Sequence, residues 1–469
     1  MTLNKQAGAS RPTEADLTPT SLATEEADRF LAEHPEIEAV EYLITDVNGV
    51  LRGKWAPIES LPKAYESGIN FPLSLFGLDV WGREVMETGM HVDTGDRDGF
   101  CLAGPGAVRV VPWAERPTAQ VILSMHTEEG EAFFGDPRQS LERIVETMTA
   151  AGLTAVCAFE LEFYLLDPKA PPADDGTPSP VLNRAAGPDR QNMYSLADLS
   201  HFEGLFSDIR AFGLAQGLPI DTIISEAAPG QFEVNLKHHA DPLAVADDAM
   251  MLKRLIQETA RNHGLTATFM AKPFMDWPGN GMHVHASILD GNGDNIFADP
   301  ETGEDRLKAA IAGLLTHMAD STLAFVSSWN GFRRLQPGSY APTSASWGYN
   351  NRSVAVRVPA SPPEATRIEH RISGADANPY LVLTAILAAM MEGMDKAMVP
   401  PKAIALNAYD EPAPQLPSTM ADAIRAFAGS AFTARAFGKE FRDMYAAIKE
   451  AEAAAFMAEI TPLERSTYL

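Results

Sequence analysis

Residues 159–163 read FELEF, and the same design returns in GMHVHASI at 281–288 and in TRIEHRIS at 366–373. Successive side chains of an extended chain point to opposite faces. FELEF therefore sets Glu160 and Glu162 on one side of a strand and Phe159, Leu161 and Phe163 on the other. By the same period His283, His285 and Ser287 part from Met282, Val284, Ala286 and Ile288. In the third stretch Arg367, Glu369 and Arg371 part from Ile368 and Ile372. A fourth stretch, EAAPGQFE at 226–233, adds Glu226 and Glu233. Each strand has one apolar side and one side of carboxylates, imidazoles or guanidinium groups.

Carboxylates with one imidazole on converging strands form a hard, oxygen-rich donor set that suits Mg²⁺ or Mn²⁺. With no Cys cluster, zinc fits less well. Arginines make the second constellation: Arg333 and Arg334 in NGFRRLQPGSYAP, Arg352 and Arg357 in NNRSVAVRVP, and Arg367 and Arg371 on either side of Glu369. The guanidinium fork matches carboxylate and phosphate. Cations beside arginines imply phosphoryl transfer, in which charge is neutralised without a covalent nucleophile. No P-loop, Rossmann fingerprint or nucleophile elbow is found, so a nucleotide must be held in another way.

Outward from these strands, 469 residues predict two or three domains. The formal charge of −26, from 37 Lys+Arg against 63 Asp+Glu, argues against a nucleic-acid partner. Two cysteines, Cys101 and Cys157, give no disulfide framework and fit a reducing compartment. The longest uncharged apolar run, Tyr380–Met391, is too short to span a bilayer, and a cytoplasmic location is expected. Residues 1–22 read as a disordered leader. Residues 23–123 read as a β-rich N-terminal domain, opened by a hairpin at Asn48-Gly49. Residues 124–469 read as the larger domain, with helix starts at Asp136-Pro137, Asp241-Pro242 and Asn378-Pro379. Residues 168–190 read as an exposed loop, and the Ala-rich tail 418–459 as helices covering the outside of the sheet. The expected class is α+β with an antiparallel-leaning sheet.

These motifs, in this order and spacing, resemble the glutamine synthetase family, on its glutamate–amine ligase branch. The resemblance implies a β-grasp N-terminal domain and a catalytic domain with an antiparallel sheet. It also implies a homo-oligomeric ring, usually a dodecamer of two stacked hexamers, with sites between adjacent subunits. Residue by residue, it assigns Glu162, Glu226 and Glu233 to a first Mg²⁺ or Mn²⁺, and Glu160, His283 and Glu369 to a second. His285, Ser287 and Arg367 become ATP contacts, with Arg352 and Arg357 as phosphate clamps. Gly279, Arg334 and Arg371, together with Glu162, become the glutamate site. Asp46, in ITDVNG, corresponds to the acidic residue that a neighbouring subunit supplies to the acceptor amine.

Two departures stand out. Where the family loop carries Asn, this chain has Pro278. Where the family flap carries an acidic residue that closes on ammonium, this chain has Tyr340, in Pro337-Gly338-Ser339-Tyr340-Ala341-Pro342. A carboxylate suits bare ammonium, whereas an aromatic ring suits an alkylammonium group. The expected activity is ATP-dependent joining of glutamate to a primary alkylamine, diamine such as putrescine, or polyamine. Glutamine synthesis from ammonium, and a catalytically silent scaffold, remain the alternatives.

Overall fold

The computed structural model describes residues 21–172, 176–181 and 193–469. The expected leader lies outside these except for its last two residues, which instead open the helix Ser21–Glu33. That helix starts early because it has partners. Ala27 and Phe30 are buried, and the Glu26 carboxylate accepts from Tyr65 Oη at 3.0 Å and from the Gly106 N–H at 2.8 Å. Most of the loop expected at 168–190 also lies outside the described residues; within it, Val181 is buried.

Strands β1 (Ala39–Thr45), β2 (Leu51–Pro57), β3 (Ile69–Pro72), β4 (Asp98–Val110) and β5 (Thr118–His126) form the first sheet, in spatial order β2-β1-β5-β4-β3. The central pair β1 and β5 runs parallel and the outer pairs antiparallel. This is the β-grasp arrangement expected. The β1–β2 turn depends on Gly49, whose φ of +73° few side chains tolerate.

Strands β6 (Thr154–Leu166), β7 (Ile220–Ser225), β8 (Gln231–Leu236), β9 (Thr266–Thr268), β10 (Met282–Leu289), β11 (Trp347–Tyr349), β12 (Val356–Val358) and β13 (Ile368–His370) form the second sheet. Its order is β11-β12-β13-β10-β6-β8-β7, with β9 also on β6, and only β11 and β12 pair in parallel. Its apolar face is the core: Phe159, Leu161, Phe163, Met282, Val284 and Ala286 are almost wholly buried.

The three helix starts form as their sequences dictate. Asp136, Asp241 and Asn378 each accept a backbone N–H from the turn they open, ahead of helices Pro137–Ala150, Pro242–Asn262 and Pro379–Asp395. The last is buried along most of its length and packs on helix Gly303–Phe325. There Gly313 and Gly393 meet so closely that a Cβ on either would strike the carbonyl of Ala389 or Ala309. No helix among the described residues is long and apolar enough to cross a membrane.

The tail is helical, as Met420–Gly429, Ala431–Phe437 and Lys439–Ala458, but its place differs from the expected cover of the sheet. Its main neighbours are other helices, because its apolar faces meet those of the 303–325 and 379–395 helices. From the last tail helix a buried ion pair, Lys449–Glu452 at 2.8 Å, reaches the first sheet. Lys449 Nζ donates to Asn48 Oδ1 at 2.5 Å, and Glu452 accepts from the Val80 N–H at 2.8 Å.

Candidate active site

Strand register assembles the polar face. On β6 and β10, Glu160 stands opposite His283; on β6 and β8, Glu162 stands opposite Glu233. On β13, Glu369 stands opposite His285 of β10 and Arg357 of β12. Five adjacent strands therefore bring together groups that lie more than 200 residues apart in the chain, as with Glu160 and Glu369.

Electrostatics divides these groups in two. Glu160 accepts from His285 Nε2 at 2.9 Å and lies 3.2 Å from His283 Nδ1. Burial opposes its charge, but the two histidines win and hold its carboxyl well below the usual range. Glu369 is buried too, yet Arg371 and the histidines hold it at about 2. Its oxygens pair with Arg371 and, at 2.5 Å, with Arg357 Nη1. Burial and the charge of Arg371 lower His283 to about 4.

The other half is frustrated. Burial, then repulsion from Glu160, Glu162 and Glu226, pushes Glu233 up to about 10. Burial and Glu226 raise Glu162 to about 7 against the pull of Arg334, and burial and Glu160 raise Glu226. Positive charge arriving among acids so crowded would displace the protons they hold. The donor atoms suit it: those of Glu160, Glu233 and His283 lie within 4.8 Å of one another, as do those of Glu160, His285 and Glu369. Carboxylate and imidazole donors in such numbers fit Mg²⁺ or Mn²⁺.

The grouping differs from the expected partition. Glu233 closes on Glu160 and His283, and His285, expected at the nucleotide, reaches Glu369. Glu162 and Glu226 stand outside both groups, and Glu162 Oε2 accepts the Gly281 N–H at 2.5 Å.

The arginines follow. Arg334 is buried and donates to the carbonyl of Ile372 at 2.7 Å, lying so close on Gly279 and Gly281 that neither could carry a Cβ. Arg357 Nε and Arg371 Nε are buried and have no hydrogen-bond partner among the described residues, while the Nη1 atom of each pairs with Glu369. Arg367 Nε donates to His285 Nδ1 at 3.1 Å, and Ser287 continues the same face of β10. Arg352 is exposed but near enough for its charge to act on Glu226. Tyr340 is 66% exposed at φ +58°, on the flap beside Tyr409, whose hydroxyl donates to the Ala341 carbonyl.

Asp46 lies outside this cluster. It is fully buried in the β1–β2 turn, where Oδ1 accepts from the N–H groups of Asn48 and Val50 and Oδ2 from Arg52 Nε at 2.8 Å.

Three contributors escape the sequence reading. Tyr164 is the next residue on the face of Glu160 and Glu162, a signal present in the alternation itself. Gln231, which opens β8 on the face of Glu233, and buried Asn280 hydrogen-bond each other at 3.1 Å behind the glycine loop; Asn280, in a loop, carries no such signal.

A face of this kind, on an antiparallel sheet beside a β-grasp sheet, offers donors for divalent cations and guanidinium groups for anions. Residues 134–468 match the glutamine synthetase catalytic domain, and the chain belongs to that family of ATP-dependent ligases. It is 38% identical to gamma-glutamylputrescine synthetase PuuA of Escherichia coli K12, covering 95% of this chain and 94% of that one. It is 32% identical to a glutamate–isopropylamine ligase of a Pseudomonas species, covering 90% and 92%. Among solved structures, apo GmaS superimposes with a TM-score of 0.81 at 28% identity, covering 93% of this chain and 98% of that one.

Proposed function

We propose that the protein joins the γ-carboxylate of L-glutamate to a primary amine, cleaving ATP to ADP and phosphate through γ-glutamyl phosphate. The observation that carries this reading is one sheet face on which Glu160, Glu162, Glu226 and Glu233 crowd together, with Arg334 close enough to act on Glu162 and with Arg357 and Arg371 on Glu369. Such a site is incomplete without cations and anions together. The relatives named for putrescine and isopropylamine support an amine as acceptor.

In this reading Glu162, Glu226 and Glu233 would hold one cation and Glu160, His283 and Glu369 a second, and bound there they would neutralise phosphate and carboxylate charge. The chain's own groups do the rest. Arg334, Arg371 and the Gly279 backbone orient glutamate. His285, Ser287 and Arg367 hold the nucleotide, and Arg352 and Arg357 neutralise the phosphoryl group in transfer. A glutamate oxygen bonds to the γ-phosphorus and ADP leaves; the amine nitrogen then bonds to the acyl carbon and phosphate leaves. An alkylamine with a pKa of about 10.4, like Lys, is mostly protonated at neutral pH, so it must lose a proton before attack. The reading places Asp46 of a neighbouring subunit at that step, in a dodecameric ring. Because both its oxygens are engaged in their own turn, its action there requires the Arg52 contact to loosen.

Tyr340 then selects the acceptor, since each buried methylene contributes roughly 0.8 kcal/mol and a ring over the ammonium adds to it. The test is phosphate release from ATP and glutamate with a panel of amines and ammonium. The enzyme should prefer an alkylamine, and Tyr340→Glu should move the kcat/KM ratio toward ammonium by about tenfold. Preference for ammonium in the unaltered enzyme would make it a glutamine synthetase, and no turnover with any acceptor would make it a silent member.

A further inference from the structure

The loop that carries Gly279 is held from behind in an unusual way. Its three successive carbonyls each receive a buried side chain: Trp277 from Lys272 Nζ, Pro278 from Tyr164 Oη at 2.8 Å, and Gly279 from Gln231 Nε2 at 3.1 Å. These donors come from different places, Tyr164 from β6 and Gln231 from β8. Tyr164 is fully buried and belongs to a small apolar cluster separate from the main core, with Ala228, Phe274, Leu166 and Trp277. Its ring lies 5.1 Å from Phe274 and 6.3 Å from Trp277, centroid to centroid. The cluster therefore ties together the turn after Glu226 and the loop before Gly281.

On its other side the loop leaves no slack. A Cβ on Gly279 would lie 2.8 Å from Arg334 Cγ, and one on Gly281 would lie 2.6 Å from Arg334 Nη2 and 3.0 Å from His283 Nε2. A shift of the carbonyls is therefore felt directly at Arg334. The strand that bears Glu160 and Glu162 bears, two residues on, the hydroxyl that fixes this loop.

We infer that Tyr164 is a positioning residue, whose hydroxyl fixes the Trp277–Gly279 backbone against Arg334 and so sets affinity for the amino-acid substrate. The inference rests on the glutamate assignment of Gly279 and Arg334 made above. A phenylalanine would pack as well in the cluster, so the hydroxyl alone is at issue.

Tyr164→Phe tests it. One lost hydrogen bond to a buried carbonyl should raise the KM for glutamate about fivefold to tenfold, with kcat and the KM for ATP within about twofold. Lys272→Met, which frees the neighbouring carbonyl, should move the same constant in the same direction. Glutamate titrated into the unaltered and Tyr164→Phe proteins with a non-hydrolysable ATP analogue and Mg²⁺ should show the same ratio in Kd. Equal glutamate affinity in the two proteins would overturn the inference and leave the glutamate assignment standing. No glutamate binding by the unaltered protein would overturn that assignment and the inference with it. Parallel losses for glutamate and ATP, with a lowered Tm, would reduce Tyr164 to a packing residue.

Discussion

Asp46 and Glu233 are both acids whose carboxyls burial raises, and they differ in the partners they meet. Asp46 meets two turn N–H groups and the Arg52 guanidinium within its own hairpin. Glu233 faces three more carboxylates, and burial together with that repulsion pushes it up to about 10. The first acid is answered by the chain that carries it. The second is left wanting charge that the chain does not supply. Burial alone therefore says little about what an acid is for; the presence or absence of partners decides it.

The sharpest way to break this contrast is to remove the acids. Glu233→Ala and His283→Ala should each lower amide formation by about a hundredfold or more, because a cation position is lost. Both should keep the fold, and circular dichroism with activity assays reads the two effects separately. Turnover close to that of the unaltered enzyme would place Glu233 among ordinary surface-type acids.

Asp46→Ala should do the opposite in kind. Its loss leaves two turn N–H groups and Arg52 without a partner, at a cost of about 2 kcal/mol in unfolding free energy. If the ring reading holds, activity falls as well. Reassembling Asp46→Ala with Glu233→Ala subunits should then recover part of it, since some contacts pair intact halves. No recovery in verified mixed assemblies would confine Asp46 to its turn.

The smallest effect is the dependence on pH. Glu233 binds its proton more tightly folded, at about 10, than unfolded, near the ordinary 4.5. Its favourable contribution is complete below the unfolded value and is lost as pH rises through the folded one. The Tm of metal-free protein should therefore decline by a few degrees from about pH 5 to about pH 9, and less so in Glu233→Gln. Added Mg²⁺ should raise the Tm more at the alkaline end, because binding displaces that proton. A flat profile would mean that the carboxylates are less crowded than their positions imply.

Much of this was legible from local pattern. The period of two in FELEF and GMHVHASI separates the ligand face from the core face before any fold is known, and Asp136, Asp241 and Asn378 cap their helices by chemistry within one turn. What local pattern cannot carry is pairing. Nothing near Glu162 announces Glu233 as its cross-strand partner, or that His285 faces Glu369. Tyr164 escaped because a tyrosine after two acids reads as a core aromatic, and its hydroxyl matters only once Pro278, 114 residues on, is beside it. The tail reads as an amphipathic helical cover, and only packing reveals that its partners are helices.

The last tail helix leaves one more consequence. Lys449 grips Asn48 across 401 residues of chain, beside the turn that houses Asp46, and Glu452 grips Val80. A premature stop just ahead of Lys449 would spare every residue of the first sheet and every acid of the second. It would nonetheless read as a lesion of the first sheet, whose hairpin would have lost its anchor. In this chain, the codons for Lys449 and Glu452 are part of the genetic definition of the β1–β2 hairpin.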